Sequence, residues 1–463
     1  MTPLTYKEFV NSTIHFVGIG GSGMSGIARI LLALGADVSG SDVKDSAALD
    51  GLRTLGARIS IGHNETNVPN SGVIVASSAI SESNPELVVA RKRGLSILPR
   101  AQALALIMSQ KRSLAIAGTH GKTTTTSMIT VALQRCGADP SFAIGAAVTN
   151  SGTNAHHGSG DIFIAEADES DGSFLAYKPF GAIITNIELD HVDNFHSLEE
   201  IDELFLNFIQ SIQKDGFLVA CIDDVGVHKA LSKINRRDIT VITYGEANSA
   251  DLKIDRISLT QSGSVSRVTW RGRVLGELSL NVPGRHNVIN AAATLASALH
   301  LGFPIEQLFA GLKSFTGARR RFEIKGVVNG ITVVDDYGHH PTEIRVTLEA
   351  ARNYAESGQI FVIFQPHRFS RTEKFASEFA VELSRADHVF LLEVYAASEK
   401  PIPGVTSLSI SRLMNPDCVT YEPSMPSVIE QVVAMAKSGD LIMTLGAGDV
   451  NSLAPLIVDL LHQ

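Results

Sequence analysis

Short apolar runs alternate with helix-spaced apolar positions through the first third of the chain. Thr13–Val17, Asp37–Ser39, Val73–Ala76 and Leu95–Leu98 read as strands, and Met24–Leu34 as a helix. This alternation predicts βαβ units and a parallel sheet. The segment around Pro99 to Arg112 reads as a boundary region between domains. A second set opens with the run Ser113–Ala117, a glycine loop and a helix over Lys122–Gln134. Asp161–Ala165 and Gly181–Thr185 are short apolar runs bounded by polar motifs, the pattern of buried parallel strands. From Asp251 to Val282 the period falls to two, which predicts half-exposed antiparallel strands in a small sheet at the edge of the central block. Asn287–Leu301 is an Ala-rich helix. A third set starts near Ala318, with strands at Ile331–Asp335, Ile360–Phe364, Val389–Glu393 and Leu441–Leu445. Three α/β domains follow, over residues 1–110, 111–317 and 318–463.

Two glycine loops give the first two blocks their chemistry. Gly18-Ile19-Gly20-Gly21-Ser22-Gly23 follows a strand and opens a helix. Its glycines let the backbone approach a diphosphate, and the helix N-terminus supplies free N–H groups. Asp42 ends the next strand, where a Rossmann-like fold places its ribose-binding carboxylate. The pattern fits a nucleotide diphosphate, NAD among the candidates, or a structural turn. The second loop is Gly118-Thr119-His120-Gly121-Lys122-Thr123-Thr124, again between strand and helix. It ends as a P-loop does: backbone amides cradle phosphates, Lys122 reaches the β/γ-phosphates and the Thr123 hydroxyl meets Mg²⁺. Ile116 stands where a full Walker A has glycine, so the loop is a shortened variant. Two phosphate loops imply two phosphorylated ligands, which an oxidoreductase built on the first loop leaves unexplained.

Composition narrows the partners. The net charge of −9 argues against nucleic acid and anionic membrane surfaces. No apolar run approaches the ~20 residues that cross a bilayer, so membrane insertion is not expected. Cys136, Cys221 and Cys418 follow no metal-ligand spacing, and the opening residues lack a signal-peptide pattern. The expectation is a cytoplasmic enzyme, monomer or homodimer.

Two acidic motifs follow the strands of the central block. Glu166-Ala167-Asp168-Glu169-Ser170-Asp171 places four acids where open α/β sheets bind ligands. Glu166, nearest the strand, is the first candidate for Mg²⁺, which prefers carboxylate and phosphate oxygens. Asn186-Ile187-Glu188-Leu189-Asp190-His191-Val192-Asp193 follows the next strand, and His191 is a candidate for a second metal ion or a phosphate. A solvated acidic loop and a structural histidine are the plain alternatives.

GTHGKTTTT, EADESD and NIELDHVD together resemble the Mur ligases, the ATP-dependent enzymes that build the peptide stem of peptidoglycan. The resemblance runs over the whole chain through Arg285–Ala292, Arg319–Glu323 and Asp335–Pro341. GIGGSGMSGIA, SSAISESNPE, DDYGHHPTE and QPHRFSRT are similar to the branch that joins L-alanine to the lactyl carboxylate of UDP-N-acetylmuramate. The resemblance implies a Rossmann-like UDP-binding domain, a central P-loop ATPase-type domain and a Rossmann-like C-terminal domain for the amino acid. Gly18, Gly20, Gly21, Ser22, Gly23, Asp42, Ser77 and Ser78 would then hold the UDP-sugar. Gly118 to Thr124 would bind ATP, with Asn287 and Asn290 at the adenine and Asp336 at the ribose. Thr123 and Glu166 would hold Mg²⁺, His191 a second ion, and Arg320 would approach the γ-phosphate. Tyr337, His339, Arg368 and Arg371 would line the amino-acid site, with His339 a conceivable base.

Two departures from the family pattern stand out. Ile201–Gln213 holds no Lys where many relatives carry a carbamylated one, as in the alanine-adding branch. Glu393–Glu399 differs from Tyr-Pro-Ala-Gly-Glu. The competing readings are a recycling ligase that adds a peptide to the same UDP-sugar and an NAD-dependent oxidoreductase. His339 and His340 beside Pro341 could equally cap a helix, and Arg368 and Arg371 could form a solvated helix face.

Overall fold

The computed structural model describes residues 4–77, 79–397 and 399–463. The chain forms two compact units. One runs to Ile187 and adds Asp202–Tyr244 and Ala293–Gly311; the other comprises Glu188–Ile201, Gly245–Ala292 and Leu312–Gln463.

The first unit holds two parallel sheets. Strands β1 (Thr13–Val17), β2 (Asp37–Asp42), β3 (Arg58–Ile61), β4 (Val73–Ala76) and β5 (Ser96–Pro99) lie in the order β3-β2-β1-β4-β5. The helix Ser22–Ala33 follows β1, so the first glycine loop sits at the carboxyl ends of the strands. Most of the segment read as a boundary region is a helix, Arg100–Met108. Its apolar residues run almost without interruption, and Ala101, Ala103, Leu104, Ile107 and Met108 are all buried, which hides the helical period.

The second sheet comprises β6 (Arg112–Ala117), β7 (Ser141–Ala143), β8 (Ala155–His156), β9 (Ile162–Glu166), β10 (Gly181–Ile184), β11 (Phe217–Cys221) and β12 (Thr240–Gly245). Their order is β12-β11-β10-β6-β9-β7-β8, parallel except for β8 on β7. Every residue of β10 and β11 is buried, as a parallel sheet covered on both faces requires. A Cβ at Gly118 would lie 2.1 Å from Thr185 Oγ1, so only glycine lets the second loop seat on the end of β10.

One buried network in this unit was not visible in the sequence. Glu86, with no exposed surface, accepts hydrogen bonds from Ser41 Oγ (2.6 Å), Asn67 Nδ2 (2.7 Å) and Asn64 N (3.1 Å). His15 Nε2 lies 3.3 Å from the same carboxylate. Burial opposes the charge, but these partners outweigh it and hold the carboxyl at about 2.

In the second unit β13 (Leu252–Leu259), β14 (Ser264–Trp270) and β15 (Arg273–Leu280) form the antiparallel meander that the period-two pattern predicts. A six-stranded sheet runs β16-β17-β21-β18-β19-β20. Its strands are β16 (Glu323–Val328), β17 (Ile331–Asp336), β18 (Ile360–Phe364), β19 (His388–Leu391), β20 (Val419–Tyr421) and β21 (Leu441–Leu445). Only β16 is antiparallel to its neighbour. Separate buried clusters cover its two faces, one centred on Val362, Phe364 and Phe379, the other on Phe361, Ile363 and Phe390.

Candidate functional site

The second glycine loop links β6 to the helix Lys122–Arg135. Gly121 caps that helix with φ +79°, a left-handed conformation that turns the loop back over its own amides. Neighbouring backbone braces it. Thr119 N donates to Asn186 O (3.1 Å), His120 N to Asn186 Oδ1 (2.7 Å), and Thr185 Oγ1 to His120 O (2.6 Å). Lys122 Nζ donates to Gly118 O (2.7 Å), Thr119 O (3.0 Å) and Glu169 Oε1 (2.9 Å). Burial works against its charge, but Glu169 and Asp168 outweigh it and hold the ammonium above its ordinary pKa. Lys122 is therefore a fixed cation in a pocket of backbone carbonyls.

Glu166, at the end of β9, stands beside this loop. The Thr123 hydroxyl donates to Glu166 Oε1 (2.9 Å), and Gly145 N donates to Oε2 (2.7 Å). Adjacent ligands of an octahedral Mg²⁺ at 2.0–2.1 Å lie about 2.9 Å apart, so these two oxygens already have the spacing of neighbours in such a shell. The residues present fit the ion.

The first glycine loop faces a cavity of about 310 Å³ lined by Gly21, Gly23, Ser77, Arg100, Asn154 and Glu166, among others. Asp42 Oδ2 accepts from Gly20 N (2.8 Å), so this carboxylate also braces the loop. Gly18 has φ +84°. Ser22 O accepts from Asn154 Nδ2 (3.0 Å). Ser77 lines the cavity; Ser78 lies outside the described residues.

In the second unit the DDYGHHP motif ends β17 and opens the helix Pro341–Ala355. His340 is the residue that caps this helix, its Nδ1 accepting from Thr342 N (3.3 Å). His339 is left for other work. Its Nδ1 lies 3.1 Å from Glu343 Oε2 and 3.2 Å from Tyr337 O, both acceptors, so Nδ1 carries the proton. Nε2 is then the basic nitrogen, 4.0 Å from Asp190 Oδ2. Burial lowers the His339 pKa despite Glu343.

Arg371 is buried and donates to Asp190 Oδ1 through Nη2 (2.7 Å) and Nε (3.1 Å). Burial opposes the Asp190 charge, but Arg371 prevails and drives its pKa far below the carboxylate range. His367 lies between His339 and Tyr395, stacked on the latter at 5.7 Å; burial pushes its pKa down to about 3. Tyr337, His339 and Arg371 are thus brought together. Arg368 instead pairs with Asp193 at the edge of this cluster.

The other predicted residues of this unit have defined partners. Arg320 donates to Gly446 O (2.6 Å), lies 3.2 Å from Asp335 Oδ2 and covers the Tyr337 ring at 5.0 Å. Asp336 accepts from Phe322 N (2.7 Å) and Gly338 N (2.8 Å), and burial raises its pKa to about 6. Asn287 and Asn290 are buried one turn apart, 3.4 Å between carboxamides. His191, also in this unit, has φ +51° and its main-chain N donates to Asp190 Oδ1 (2.7 Å).

Four functional candidates escaped the motif reading. Arg100 was masked by its placement in a supposed boundary, and His367 sits inside QPHRFSRT beside the arginines that were singled out. Asp190 and Glu169 lie in quoted acidic motifs, but their partners are 181 and 47 residues away.

A P-loop beside the Thr123–Glu166 pair, a second glycine loop in the same unit and a His–Arg–Asp cluster on a further α/β sheet define the class: a nucleotide-dependent α/β enzyme. Known proteins give the family. Three family models match in succession: the Mur ligase family catalytic domain over 13–112, the Mur ligase middle domain over 116–298, and the Mur ligase glutamate ligase domain over 320–448. The chain is 50% identical to UDP-N-acetylmuramate–L-alanine ligase of Acidothermus cellulolyticus, covering 97% of this chain and 95% of that protein. It is 49% identical to the enzyme of the same name from Renibacterium salmoninarum, over 97% and 96%. Among solved structures, UDP-N-acetylmuramate-alanine ligase of Thermotoga maritima superposes with a TM-score of 0.81 at 29% identity, over 98% of this chain and 99% of that one. A murein peptide ligase of Psychrobacter arcticus gives 0.72 at 26%, over 97% and 99%. The chain belongs to the Mur ligase family.

Proposed function

We propose that this protein joins L-alanine to the lactyl carboxylate of UDP-N-acetylmuramate, with ATP converted to ADP and phosphate, in peptidoglycan precursor synthesis. The observation that carries the reading is the Thr123–Glu166 oxygen pair beside a fixed Lys122, in a unit whose other glycine loop opens on a cavity that Glu166 also lines.

The chemistry follows from what a carboxylate lacks. It cannot expel oxide, so an amine does not displace it in water; phosphorylation supplies a leaving group. The sugar carboxylate attacks the γ-phosphorus of ATP, ADP departs, and the acyl phosphate is then attacked by the alanine amine, releasing phosphate. Thr123 and Glu166 would hold Mg²⁺, which when bound would supply positive charge to the triphosphate. Lys122 supplies a second cation at the same loop, preorganised by Gly118 O, Thr119 O and Glu169. Asn287 and Asn290 are assigned to adenine, Asp336 to the ribose, and Arg320 and His191 to phosphate oxygens. Arg371, oriented by Asp190, and Arg368 take the alanine carboxylate. Neutral His339, with Nδ1–H committed, offers Nε2 to the ammonium proton.

Relatives at 50% and 49% identity carry the alanine-ligase name, whereas the peptide ligase is 26% identical, so alanine is favoured over a peptide. ADP release with UDP-N-acetylmuramate should require L-alanine. Turnover with the stem tripeptide and none with alanine would replace this reading with the recycling activity.

A further inference from the structure

The loop after β19 departs from the family pattern and has no role in the reading above. It folds back on the segment that opens the helix Phe369–Leu383. Tyr395 N donates to Pro366 O (2.8 Å), and Arg368 N donates to Tyr395 O (2.8 Å). Four residues on, Glu399 N donates to Ala396 O (2.8 Å), a turn that presents the Glu399 carboxylate to Ser370. Ser370 Oγ donates to Oε1 (2.6 Å) and Ser370 N to Oε2 (3.1 Å). One carboxylate thus accepts both donors of a residue that stands between Arg368 and Arg371.

The helix needs this partner. Arg368 is its N-cap residue but makes no side-chain cap, so the first-turn N–H groups require acceptors from elsewhere. Arg368 also has φ +72° and ψ +141°, a backbone conformation that glycine adopts readily and arginine does not. Such a conformation persists only where the surroundings over-determine it. Here Tyr395 holds the N–H of Arg368 itself, and Glu399 holds the residue two places on. The same turn carries Arg371, whose Nε and Nη2 reach Asp190 Oδ1. The two guanidiniums pair with Asp193 and Asp190 rather than with Glu399, so its hold on them runs through the backbone.

We propose that Glu399 is a positioning residue of the alanine site: by clamping Ser370 it fixes the strained turn from which both guanidiniums are aimed at the carboxylate of the amino acid. The inference rests on the assignment of Arg368 and Arg371 to that carboxylate. It adds a residue that never meets the substrate yet sets its affinity.

Steady-state ADP release by the full chain tests this, with alanine, ATP and UDP-N-acetylmuramate varied in turn. Glu399→Ala should raise the KM for alanine at least about tenfold, since a misplacement on the order of 1 Å costs up to about 10²-fold. The other two KM values should stay near wild type. Glu399→Gln should recover most of the loss: its amide oxygen accepts from Ser370 N, and its NH2 donates to a Ser370 hydroxyl that turns to accept. Ser370→Ala keeps the N–H bond, so it should show the same selective rise at a smaller size, and it decides the matter where Glu399→Ala does not fold. Ser424→Ala, which removes the cap of the helix Met425–Met435, is the structural comparison: it should lower Tm and leave the alanine KM alone. A Glu399→Ala enzyme with a lowered Tm and an unchanged alanine KM would reduce Glu399 to a helix cap and overturn the proposal. An equal rise in all three KM values, or a glutamine variant as impaired as the alanine one, would overturn it as well. Failure of the wild type to use alanine at all would sink the reading of the site instead.

Discussion

Thr123 Oγ1 and Glu166 Oε1 lie 2.9 Å apart, although 43 residues separate them in sequence. β6 and β9 are neighbours in the sheet, and the loop after one meets the carboxylate ending the other. Glu166 should thus set the metal requirement. Glu166→Gln should raise the Mg²⁺ concentration for half-maximal ADP release at least tenfold, and a chelator should abolish turnover in the wild type. A Glu166→Gln curve superimposable on wild type would remove the carboxylate from the metal site.

Lys122 donates three hydrogen bonds inside its own unit, one of them to Glu169. Lys122→Ala should cost about 10²–10³-fold in kcat, the loss typical of a deleted transition-state cation or donor. Glu169→Ala should act first on stability: it strands a mostly buried ammonium, a change that costs about 3 kcal/mol. Phosphate can replace the lost carboxylate, so Mg²⁺–ATP should stabilise Glu169→Ala more than wild type. Thermal shifts with and without nucleotide test this; equal shifts would show that Glu169 does not bear on the phosphate site.

Arg371 donates twice to one oxygen of the buried Asp190 carboxylate in the proposed amino-acid site. Asp190→Asn should raise the KM for alanine well above that of wild type and leave the KM for ATP near its wild-type value, because Arg371 loses its orienting partner. Arg371→Ala should also lower the unfolding free energy by about 3–5 kcal/mol, since it leaves a buried carboxylate uncompensated. Parallel changes in both KM values would place the pair outside the alanine site.

What could be read from sequence follows from how contiguous each feature is. The strands and phosphate loops are local: a short apolar run, then glycines, then a helix. The sheet that carries EADESD and NIELDHVD is legible because β9 and β10 are bounded apolar runs. Arg100 was lost because the helix it opens is apolar on nearly every side, which erases the 3.6-residue period. His339 and His340 look alike in sequence, and only the fold assigns one to a cap and the other to Asp190 and Glu343. The partners of Lys122 and Arg371 are set by sheet order and by long-range packing, which no local motif states.

Glu86 gives the clearest pH prediction. Its carboxylate titrates at about 2 in the folded chain against an ordinary 4.5. The unfolded state therefore binds more protons in that window, and stability falls as pH drops through it. The full contribution is present above pH 4.5 and amounts to about 3 kcal/mol at 1.36 kcal/mol per unit. Glu86→Gln keeps the shape and one acceptor but removes the charge. At neutral pH it should be less stable by roughly that amount, because Ser41, Asn67 and Asn64 then donate to a group that can no longer accept from all of them. Between pH 4.5 and about 2 its denaturation midpoint should decline less steeply than that of wild type. Equal slopes would mean that another carboxylate controls acid unfolding. Because Ser41 precedes Asp42, and Asp42 braces Gly20, the same substitution should also loosen the first glycine loop. Hydrogen exchange at Gly20 N–H should therefore quicken in Glu86→Gln, and unchanged protection there would confine the effect to stability.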